Sequence, residues 1–456
     1  MAWLVNAIYL MLLAILFPWL LYKSLKTGKY RRGMWQKITG CLPASLLLPP
    51  KPVWFHGVSV GEIHLLRTLV ARFRALFPDY PCVVSTTTDT GYVEAQKAFS
   101  DLPVFYWPLD FSWSVNRLLR RVDPRLIVLA ECELWPNFLH AASRLSIPVA
   151  VVNARMSPRS YKRYRLVRSL AASLLQKVSL FAVQTEEYGA WFRLLGASSE
   201  TIHVTGSIKY DGVQADRNQP RTRELGRLFG IQPSDTVWVA GSTQFPEEQL
   251  VVQIYMKLQP EFPRLRLIVV PRQKERFDEV AALLERLQVP YVRRSWFASA
   301  TQSDPSTELR GKLPTPVVLV DTIGELQAIW GLADIAFVGG SLDGRRGGQN
   351  MIEPAAYGAA VLFGPHVWNF RDTANRLAAA GGAIQVADAA ELESAVRKLL
   401  LSHKQRTDLG RRAQELVVRQ QGATERTVLL LGKLLGSLRD TKPLDAETDL
   451  SIRRSA

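Results

Sequence analysis

The feature that most constrains the fold is an alternation, from Val53 onward, between short apolar runs rich in β-branched residues and longer amphipathic segments. Strands of a parallel sheet are covered by helices on both faces, so they appear in a sequence as nearly continuous apolar runs. The predicted strands are 53–56, 82–88, 125–131, 148–154, 180–185 and 201–206, then 236–242, 264–272, 315–321, 334–341 and 359–364. Helices are predicted between them, among others at 93–99, 135–145 and 161–177. The alternation therefore predicts an α/β protein with doubly wound parallel sheets.

A chain of 456 residues is too long for one ordinary core, so two domains are expected. No G-x-G-x-x-G follows the first strand, and two Rossmann-like domains facing a cleft therefore fit the GT-B glycosyltransferase architecture better than a dehydrogenase. A surface loop rich in Ser, Thr and Pro is predicted at 298–316. We predict a membrane anchor with a basic segment at 1–37, an N-terminal domain at 38–210, a linker at 211–228, a C-terminal domain at 229–438 whose last helices cross back, and a polar tail at 439–456.

The N-terminus carries an almost wholly apolar stretch at 3–22, long enough to cross a bilayer core of roughly 30 Å as one helix. No basic residues precede it and no small-residue cleavage site follows it, which argues against a cleaved signal peptide. The residues that follow are basic without an acid among them, at Lys23, Lys26, Lys29, Arg31, Arg32 and Lys37. By the positive-inside rule, this pattern predicts a single N-terminal membrane-anchor helix with the bulk of the chain on the cytoplasmic side. The alternative is a helix that lies in the membrane interface.

The formal net charge of +16 and the pI near 9.9 admit three classes of partner: nucleic acid, an anionic membrane surface, or an acidic substrate. Nucleic acid is the least favoured, because the basic residues cluster beside the apolar N-terminus and no recognised nucleic-acid-binding motif is present. The three cysteines, Cys41, Cys82 and Cys132, are widely scattered and predict neither a disulfide framework nor a zinc site. We expect no metal and no cofactor, and no sequence signal sets an oligomeric state.

Two acids follow predicted strands of the first domain. Glu62 lies in "HGVSVGE", at the start of a helix behind a glycine, and Glu131 directly follows the strand at 125–131. The carboxyl ends of parallel strands form the edge where ligands bind, so both are candidates for chemistry; the competing interpretation of Glu62 is an acid that only complements the helix dipole. Of Glu131 and Glu133, which one residue separates, at most one is expected to face that edge, and Glu131 is preferred.

Basic residues accompany these acids. Lys209 follows the last strand of the first domain in "TGSIKYD", where a cation can neutralise a departing phosphate or remain a solvated surface lysine. The segment 153–168 is either a solvated helix face or a device for capturing phosphate or acidic lipid. Its six basic residues are Arg155, Arg159, Lys162, Arg163, Arg165 and Arg168.

The second domain carries a glycine-rich loop, "GGSLDGRRGGQN", between a predicted strand and a helix that starts near Asn350. Such a loop presents backbone N–H groups and the positive end of a helix to an anion, and Glu353 is placed to accept hydrogen bonds from a ribose. Two further strands end in Pro271-Arg272 and in Ile323-Gly324-Glu325. The three strand ends predict one nucleotide-binding site.

Eight segments in this order resemble the 3-deoxy-D-manno-octulosonic acid (Kdo) transferases of lipopolysaccharide synthesis. They are "HGVSVGE", "ECELWPN", "NARMSPRS", "GSIKYD", "GST", "PRQKERF", "DTIGEL" and "GGSL…GGQNMIEPAAYG". The resemblance implies an inverting, metal-independent GT-B enzyme of the bacterial inner membrane, active on its cytoplasmic side. Such an enzyme transfers Kdo from CMP-Kdo to a lipid A precursor.

By the same resemblance, Glu62 matches the catalytic base of the family, and Glu131 and Lys209 match positions that assist the transition state. The matching CMP-contacting positions are Pro271, Arg272, Ile323, Gly324, Glu325, Asn350, Met351, Ile352 and Glu353. The chain departs from the family pattern around this donor site. Gln273 and Gln349 stand where His is usual, Met351-Ile352 where Pro-Leu is common, and "GSTQFPEE" where a His-containing version is usual.

Two other functions fit parts of the sequence. One is a membrane-bound GT-B transferase that uses a UDP sugar and another lipid acceptor. The other is a membrane-anchored binding protein with an inactive transferase fold, against which the intact Glu62, Arg272 and Glu353 argue.

Overall fold

The computed structural model describes residues 2–27, 32–298 and 316–440. Lys29 and Arg31 of the basic segment, nearly all of the loop predicted at 298–316, and the tail from 441 onward lie outside the described residues. Contacts divide the chain into one unit formed by 1–211 and 421–456 and a second unit formed by 212–420. Each unit is built around its own parallel sheet.

The sheet of the first unit has the strand order β3-β2-β1-β4-β5-β6-β7, and every described strand pair in it is parallel. Its strands are β1 (Val53–His56), β2 (Cys82–Thr86), β3 (Val104–Tyr106), β4 (Leu126–Ala130), β5 (Val149–Ala154), β6 (Leu180–Val183) and β7 (Ile202–Val204). Successive residues of β1 bury into cores on opposite faces of the sheet, Trp54 into one and Phe55 into the other. The central strands are therefore apolar along most of their length, as a sheet covered on both faces requires, and their few polar residues lie near the carboxyl ends.

Helices form a layer on each face of this sheet. The first nine helices are α1 (Ala2–Thr27), α2 (Met34–Thr39), α3 (Val60–Leu76), α4 (Asp89–Ala98), α5 (Ser112–Val122), α6 (Pro136–Arg144), α7 (Pro158–Leu166), α8 (Arg168–Leu175) and α9 (Glu186–Leu195). Helices α3 and α4 cover the Phe55 face, whereas α5, α6, α8 and α9 cover the Trp54 face. The parallel connections thus place each helix start at the edge where the strands end.

The second unit repeats this arrangement with the strand order β10-β11-β9-β8-β12-β13-β14, again all parallel. Its strands are β8 (Thr236–Thr243), β9 (Leu265–Pro271), β10 (Tyr291–Arg293), β11 (Val317–Leu319), β12 (Ile335–Val338), β13 (Ala360–Phe363) and β14 (Ala383–Gln385). Its helices are α10 (Pro220–Leu228), α11 (Glu247–Leu258), α12 (Arg276–Arg286), α13 (Leu326–Trp330), α14 (Ile352–Ala356), α15 (Arg371–Ala379), α16 (Ala389–Leu401) and α17 (His403–Gln420). The last helix, α18 (Ala423–Asp440), belongs to the first unit, where it packs against α3.

The sequence prediction of parallel α/β units is confirmed, with two kinds of local difference. Three strands of three residues each, β3, β10 and β14, were not predicted. The helix predicted at 161–177 is broken into α7 and α8 at Val167, whose φ of −119° and ψ of 38° lie outside the helical region.

Helix α1 forms hydrogen bonds to the rest of the first unit from its second and third turns. The buried Asn6 donates from Nδ2 to the Ser112 hydroxyl over 2.7 Å and accepts through Oδ1 from the Ser112 amide over 3.0 Å. The Tyr9 hydroxyl donates to Asp110 over 3.1 Å. Among the residues that the structure describes, no helix is long and apolar enough to cross a membrane. The transmembrane span predicted at 3–22 is corrected accordingly; Asn6 and Tyr9 of this helix bond to the folded domain, and Pro18 lies within it.

Candidate functional site

Glu62 lies in the first turn of α3, at the edge where β1 ends. Its carboxylate accepts from the Val58 amide over 2.7 Å and from the Ser59 hydroxyl over 2.9 Å. A Cβ at Gly57 would lie 3.1 Å from the Glu62 Cβ, so glycine there permits the close approach. Burial raises the pKa of Glu62, the Val58 amide partly opposes this, and the charge of Glu131 adds to the increase. The result is a half-buried carboxylate that is a stronger base than a solvated one.

Glu131 and Lys209 are brought together at the same edge. Glu131 Oε1 lies 3.5 Å from Lys209 Nζ, and its Oε2 lies 2.9 Å from Nη2 of Arg155. Both Glu131 and Lys209 interact electrostatically with Glu62. The three residues predicted as catalytic therefore share one electrostatic environment within the first unit.

Asn153, at the end of β5, is a positioning residue that the sequence analysis missed. Its buried Oδ1 accepts from the Ile208 amide over 3.1 Å, which fixes the 3₁₀ turn Ile208–Tyr210 that carries Lys209. Asn153 has a φ of +53°, a left-handed conformation that Asn tolerates better than most residues. An asparagine at the end of an otherwise apolar strand was the available signal.

Both Glu131 and Glu133 line one cavity of about 340 Å³, together with Arg155, Ser157 and Tyr164. The expectation that at most one of the two acids faces the edge is wrong, because side chains two residues apart share a face even in an extended chain. The chain is in addition turned at Glu131, which has a φ of +57°. Burial, with the charges of Glu62 and Glu131, raises the pKa of Glu133 to about 7. Unlike Glu131, Glu133 has no cation partner among the described residues.

His56 ends β1 close to Glu62 but is not available for proton transfer. Its ring is fully buried, stacks on Trp107 with centroids 3.8 Å apart, and lies 2.9 Å from the Ser85 hydroxyl through Nδ1. Burial lowers its pKa to about 3, so the ring is neutral at physiological pH. His56 is therefore part of the core beneath the site.

In the second unit, Pro271 is the last residue of β9, and the Arg272 amide donates to the carbonyl oxygen of Thr243 at the end of β8. Asn350 donates from Nδ2 to the Glu353 carboxylate over 2.9 Å, and Arg272 lies close enough to lower the pKa of Glu353. Burial is the larger effect on that carboxyl, and its pKa is raised overall. Arg272, Asn350 and Glu353 thus meet at the carboxyl edge of the second sheet.

The remaining predicted donor residues differ in their surroundings. Met351 and Ile352 are buried in the core of the second unit, so only their backbone is at the edge. Ile323 is 70% exposed, and Gly324 has a φ of +93° with open space where a Cβ would stand. The carboxylate of Glu325 is bound by Thr322, Arg221 and Arg294. Burial raises the pKa of Glu325, but these three partners together hold it below its usual value.

The glycine-rich loop after β12 is held by an acid that the sequence analysis did not single out. The fully buried Glu247, in the first turn of α11, accepts from the amides of Gly340, Ser341 and Leu342 over 2.7, 2.9 and 3.0 Å. It also accepts from the Gln244 amide over 3.1 Å. The amides predicted to bind an anion of the ligand are therefore already occupied by a carboxylate of the chain. The segment "GSTQFPEE" contained the signal, an acid opening a helix directly after a strand.

No group of three or more His, Cys, Asp or Glu side chains is arranged to hold a metal ion in the part of the chain that the structure describes. The three cysteines are free thiols.

Comparison with known structures shows the fold. A putative UDP-N-acetylglucosamine 2-epimerase from Listeria monocytogenes aligns over 86% of this chain and 98% of its own, with a TM-score of 0.52 and 12% identity. MurG of Acinetobacter baumannii aligns over 84% of this chain and 100% of its own, with a TM-score of 0.51 and 13% identity. The chain thus has a GT-B-like two-domain α/β fold.

Comparison of sequences shows the family. The family model of 3-deoxy-D-manno-octulosonic-acid transferase (kdotransferase) matches residues 29–212. The 3-deoxy-D-manno-octulosonic acid transferase of Haemophilus influenzae is 33% identical over 90% of this chain and 92% of the relative. That of Bordetella pertussis is 34% identical over 84% of this chain and 88% of the relative. The chain therefore belongs to the Kdo transferase family and is a glycosyltransferase.

Proposed function

We propose that this chain transfers Kdo from CMP-Kdo to a lipid A precursor in lipopolysaccharide synthesis, with Glu62 as the general base. The observation that carries the proposal is the half-buried Glu62 carboxylate, whose pKa is raised and which shares its environment with Glu131 and Lys209. Membership of the Kdo transferase family supports the choice of sugar and acceptor.

In the proposed reaction, Glu62 removes the proton of an acceptor sugar hydroxyl. The hydroxyl oxygen forms a bond to the anomeric carbon of Kdo while the bond from that carbon to the phosphate oxygen of CMP breaks. The attack comes from the face opposite to CMP, so the configuration inverts, and CMP leaves with the bonding electron pair. A base of raised pKa suits the first step, because it holds the transferred proton better than a solvated carboxylate.

The departing phosphate needs positive charge, which the chain itself supplies in this proposal. Arg272 lies at the carboxyl edge of the second sheet beside Asn350 and Glu353. Fixed cations and oriented N–H donors stabilise a leaving phosphate where charge develops, and the leaving group here is a monophosphate ester. The mechanism therefore contains no step that runs through a metal ion.

We further propose that the enzyme works at the cytoplasmic face of the bacterial inner membrane. Most large apolar side chains of α1 from Ile8 to Leu25 are exposed to solvent, and Lys23 and Lys26 lie near its end. Exposed apolar and basic residues on one helix favour attachment within the interface of an anionic membrane. An acceptor that resides in that membrane is then within reach.

The test is to incubate the purified full chain with CMP-Kdo and a lipid A precursor in detergent and to weigh the lipid product by mass spectrometry. A gain of whole Kdo units supports the proposal, and an unchanged lipid mass contradicts it. A nucleotide arm separates it from a UDP-sugar transferase, because CMP is expected to inhibit and to raise Tm, whereas UDP is not. Protection by UDP alone would assign the donor site to the other class of sugar nucleotide.

A further inference from the structure

A cavity of about 440 Å³ lies at the amino edge of the second sheet, where the strands begin. Asp334, directly before β12, and Gly358, two residues before β13, both line it. Arg272 and Glu353 lie at the opposite, carboxyl edge of the same sheet. The volume is within the range of small-molecule sites. A ligand bound in this cavity therefore does not occupy the proposed donor site.

Basic side chains dominate the polar lining of this cavity, which we call the cationic cavity. They are Arg217, His403, Arg406 and Arg411, and the one acid in the described lining is Asp334. Arg411 is neutralised by Glu415, since Nη1 of the arginine lies 2.7 Å from Oε1 of the glutamate. Arg217 and Arg406 form no ion pair within the described part of the chain, and both donate to backbone carbonyl oxygens instead. The cavity thus carries an excess of positive charge.

Arg217 lies in the segment 212–219, by which the chain enters the second unit. Its Nε donates to the carbonyl oxygen of Tyr357 and its Nη2 to that of Ala333, each over 2.7 Å. These bonds hold the guanidinium in place but supply no negative charge. Burial lowers the pKa of Arg217, and the charge of Asp334 only partly opposes this. Arg217 is therefore a fixed, partly buried cation without a full counter-charge.

Other arginines of the second unit that are mostly shielded from solvent pair with acids. Nη1 of Arg266 lies 3.2 Å from Oδ2 of Asp235. Nη2 of Arg294 lies 3.1 Å from Oε1 of Glu325. Because charges are rarely buried without a counter-charge, the surroundings of Arg217 suit an anion that comes from outside the chain.

The first turn of α17 adds cations where a helix usually carries acids. His403, Lys404 and Arg406 lie in this turn, and no acid does. The N-terminus is the positive end of the helix dipole, so basic side chains are unfavourable there. By contrast, α11, α12, α15 and α16 of the same unit carry acids in their first turns. An anion beside Arg406 removes the conflict at the start of α17.

We propose that the cationic cavity binds a small phosphate monoester, whose phosphate group is held by Arg217 and Arg406. Guanidinium groups bind phosphate oxygens through paired, charge-assisted hydrogen bonds. The cavity is large enough for a phosphate together with a body of the size of a pentose. The bound phosphate links the segment 212–219 to α17, because Arg217 and Arg406 lie on these two elements. This binding does not rest on the function proposed above.

The first test is calorimetric titration and thermal unfolding of the full chain with inorganic phosphate and with ribose 5-phosphate. Both are expected to bind and to raise Tm, and the ester is expected to bind more tightly. Arg406→Gln is expected to weaken both about tenfold or more, because it removes a charged hydrogen-bond donor from the phosphate. Binding of inorganic phosphate without binding of the ester would overturn the assignment to a monoester, and binding of neither would overturn the site.

Two further variants locate the bound anion. Arg412→Gln removes the same charge from an exposed position of α17 that does not line the cavity. Arg272→Gln removes a cation from the carboxyl edge. Both are expected to bind inorganic phosphate as the wild type does. Equal binding by Arg406→Gln and Arg412→Gln would overturn the proposal, as would a loss in Arg272→Gln alone, which would assign the anion to the donor edge.

Hydrogen exchange of the unsubstituted chain tests the same site without depending on how any variant folds. At saturating ribose 5-phosphate, the amides of 212–219 and 403–407 are expected to exchange more slowly. The amides of the glycine-rich loop, 339–348, are expected to keep their rates. Protection confined to that loop, or no protection, would overturn the proposal. Neither test measures transfer of Kdo, so the result stands whether or not the proposed function is correct.

Discussion

Glu62 and Glu247 occupy equivalent places in the two units. Each lies in the first turn of the helix that follows the first strand of its sheet, α3 after β1 and α11 after β8. Burial raises the pKa of both carboxyls. By strand order and helix position, the two acids therefore occupy the same place in the two units.

Their surroundings separate them. Glu62 is half-buried and accepts one backbone amide and one hydroxyl, both from its own loop. Glu247 is fully buried and accepts four backbone amides, three of them from the glycine-rich loop after β12. A carboxylate with four amide donors has no capacity left to take a proton from a substrate, whereas Glu62 remains accessible at the edge. The repeated position therefore provides a base in one unit and a structural acceptor in the other.

The largest effect is expected when the proposed base, Glu62, is replaced. Since general base catalysis contributes about 10² to 10⁴ in rate, Glu62→Gln is expected to lower the transfer rate by that factor. The Gln carbonyl oxygen can replace Oε2 as the acceptor of the Val58 amide, and its NH₂ group, in the place of Oε1, can donate to the Ser59 hydroxyl, so the free energy of unfolding should change by less than about 1 kcal/mol. Product formation by mass spectrometry and thermal unfolding measure the two quantities.

Glu187→Gln is the matched control, because Glu187 is an exposed acid in the first turn of α9 in the same unit. It should leave the transfer rate unchanged. If Glu62→Gln transfers Kdo as fast as Glu187→Gln, then Glu62 only complements the helix dipole.

The sequence predicted which residues lie at the carboxyl edge of the first sheet better than it predicted the directions of their side chains. Glu62, Glu131 and Lys209 were predicted because each follows a strand, and parallel strands end at one edge. The direction of Glu133 was mispredicted, because side chains two residues apart share a face in an extended chain, and the chain is also turned at Glu131, where φ is +57°. No local sequence pattern marks that conformation for glutamate, which rarely adopts it.

A second prediction tests the structural role of Glu247. Glu247→Gln replaces an acceptor-only carboxylate by an amide whose NH₂ group faces backbone N–H donors. Because unsatisfied buried donors cost free energy, the free energy of unfolding is expected to fall by about 2–3 kcal/mol. The glycine-rich loop should loosen, which raises the KM for the donor more than it lowers kcat.

Glu261→Gln is the control for this change, since Glu261 forms an exposed ion pair with Arg397. Surface pairs of this kind are worth about 1 kcal/mol or less. Denaturant unfolding and initial rates against donor concentration provide the readouts. Equal stability of the two variants would show that the four amides do not depend on the Glu247 charge.

The role of Glu247 could not be predicted from the sequence, for a physical reason. Acids are almost never fully buried unless paired, so an acid that opens an amphipathic helix is predicted to face solvent. Three of its four partners lie more than ninety residues away along the chain, in the loop after β12. Only the sheet order, which places β12 beside β8, brings them together.

The smallest expected effect is the pH dependence contributed by Glu133. Burial, with the charges of Glu62 and Glu131, raises its pKa from 4.5 to about 7. A carboxyl with a higher pKa in the folded than in the unfolded protein holds its proton more tightly when folded. Its contribution to stability is therefore complete below pH 4.5 and is lost as the pH rises to about 7. Gln at position 133 has no proton to lose in this pH range. Across the window, the free energy of unfolding of the wild type should therefore fall relative to that of Glu133→Gln. Because Glu133 is partly exposed, we expect a fall of about 1 kcal/mol.

Denaturant unfolding below, within and above this window measures the difference between wild type and Glu133→Gln. The difference should be constant on either side and change only between the two pKa values, while Glu187→Gln follows the wild type throughout. In the transfer reaction, ionisation of Glu133 near pH 7 adds negative charge beside Glu62 and makes it a stronger base, so Glu133→Gln should lose a step in its pH–rate profile near pH 7. A constant stability difference across the window would mean that Glu133 titrates like a solvated carboxyl. The cavity lined by Glu133 would then be open to water. The contrast between Glu62 and Glu247 would depend only on their hydrogen-bond partners.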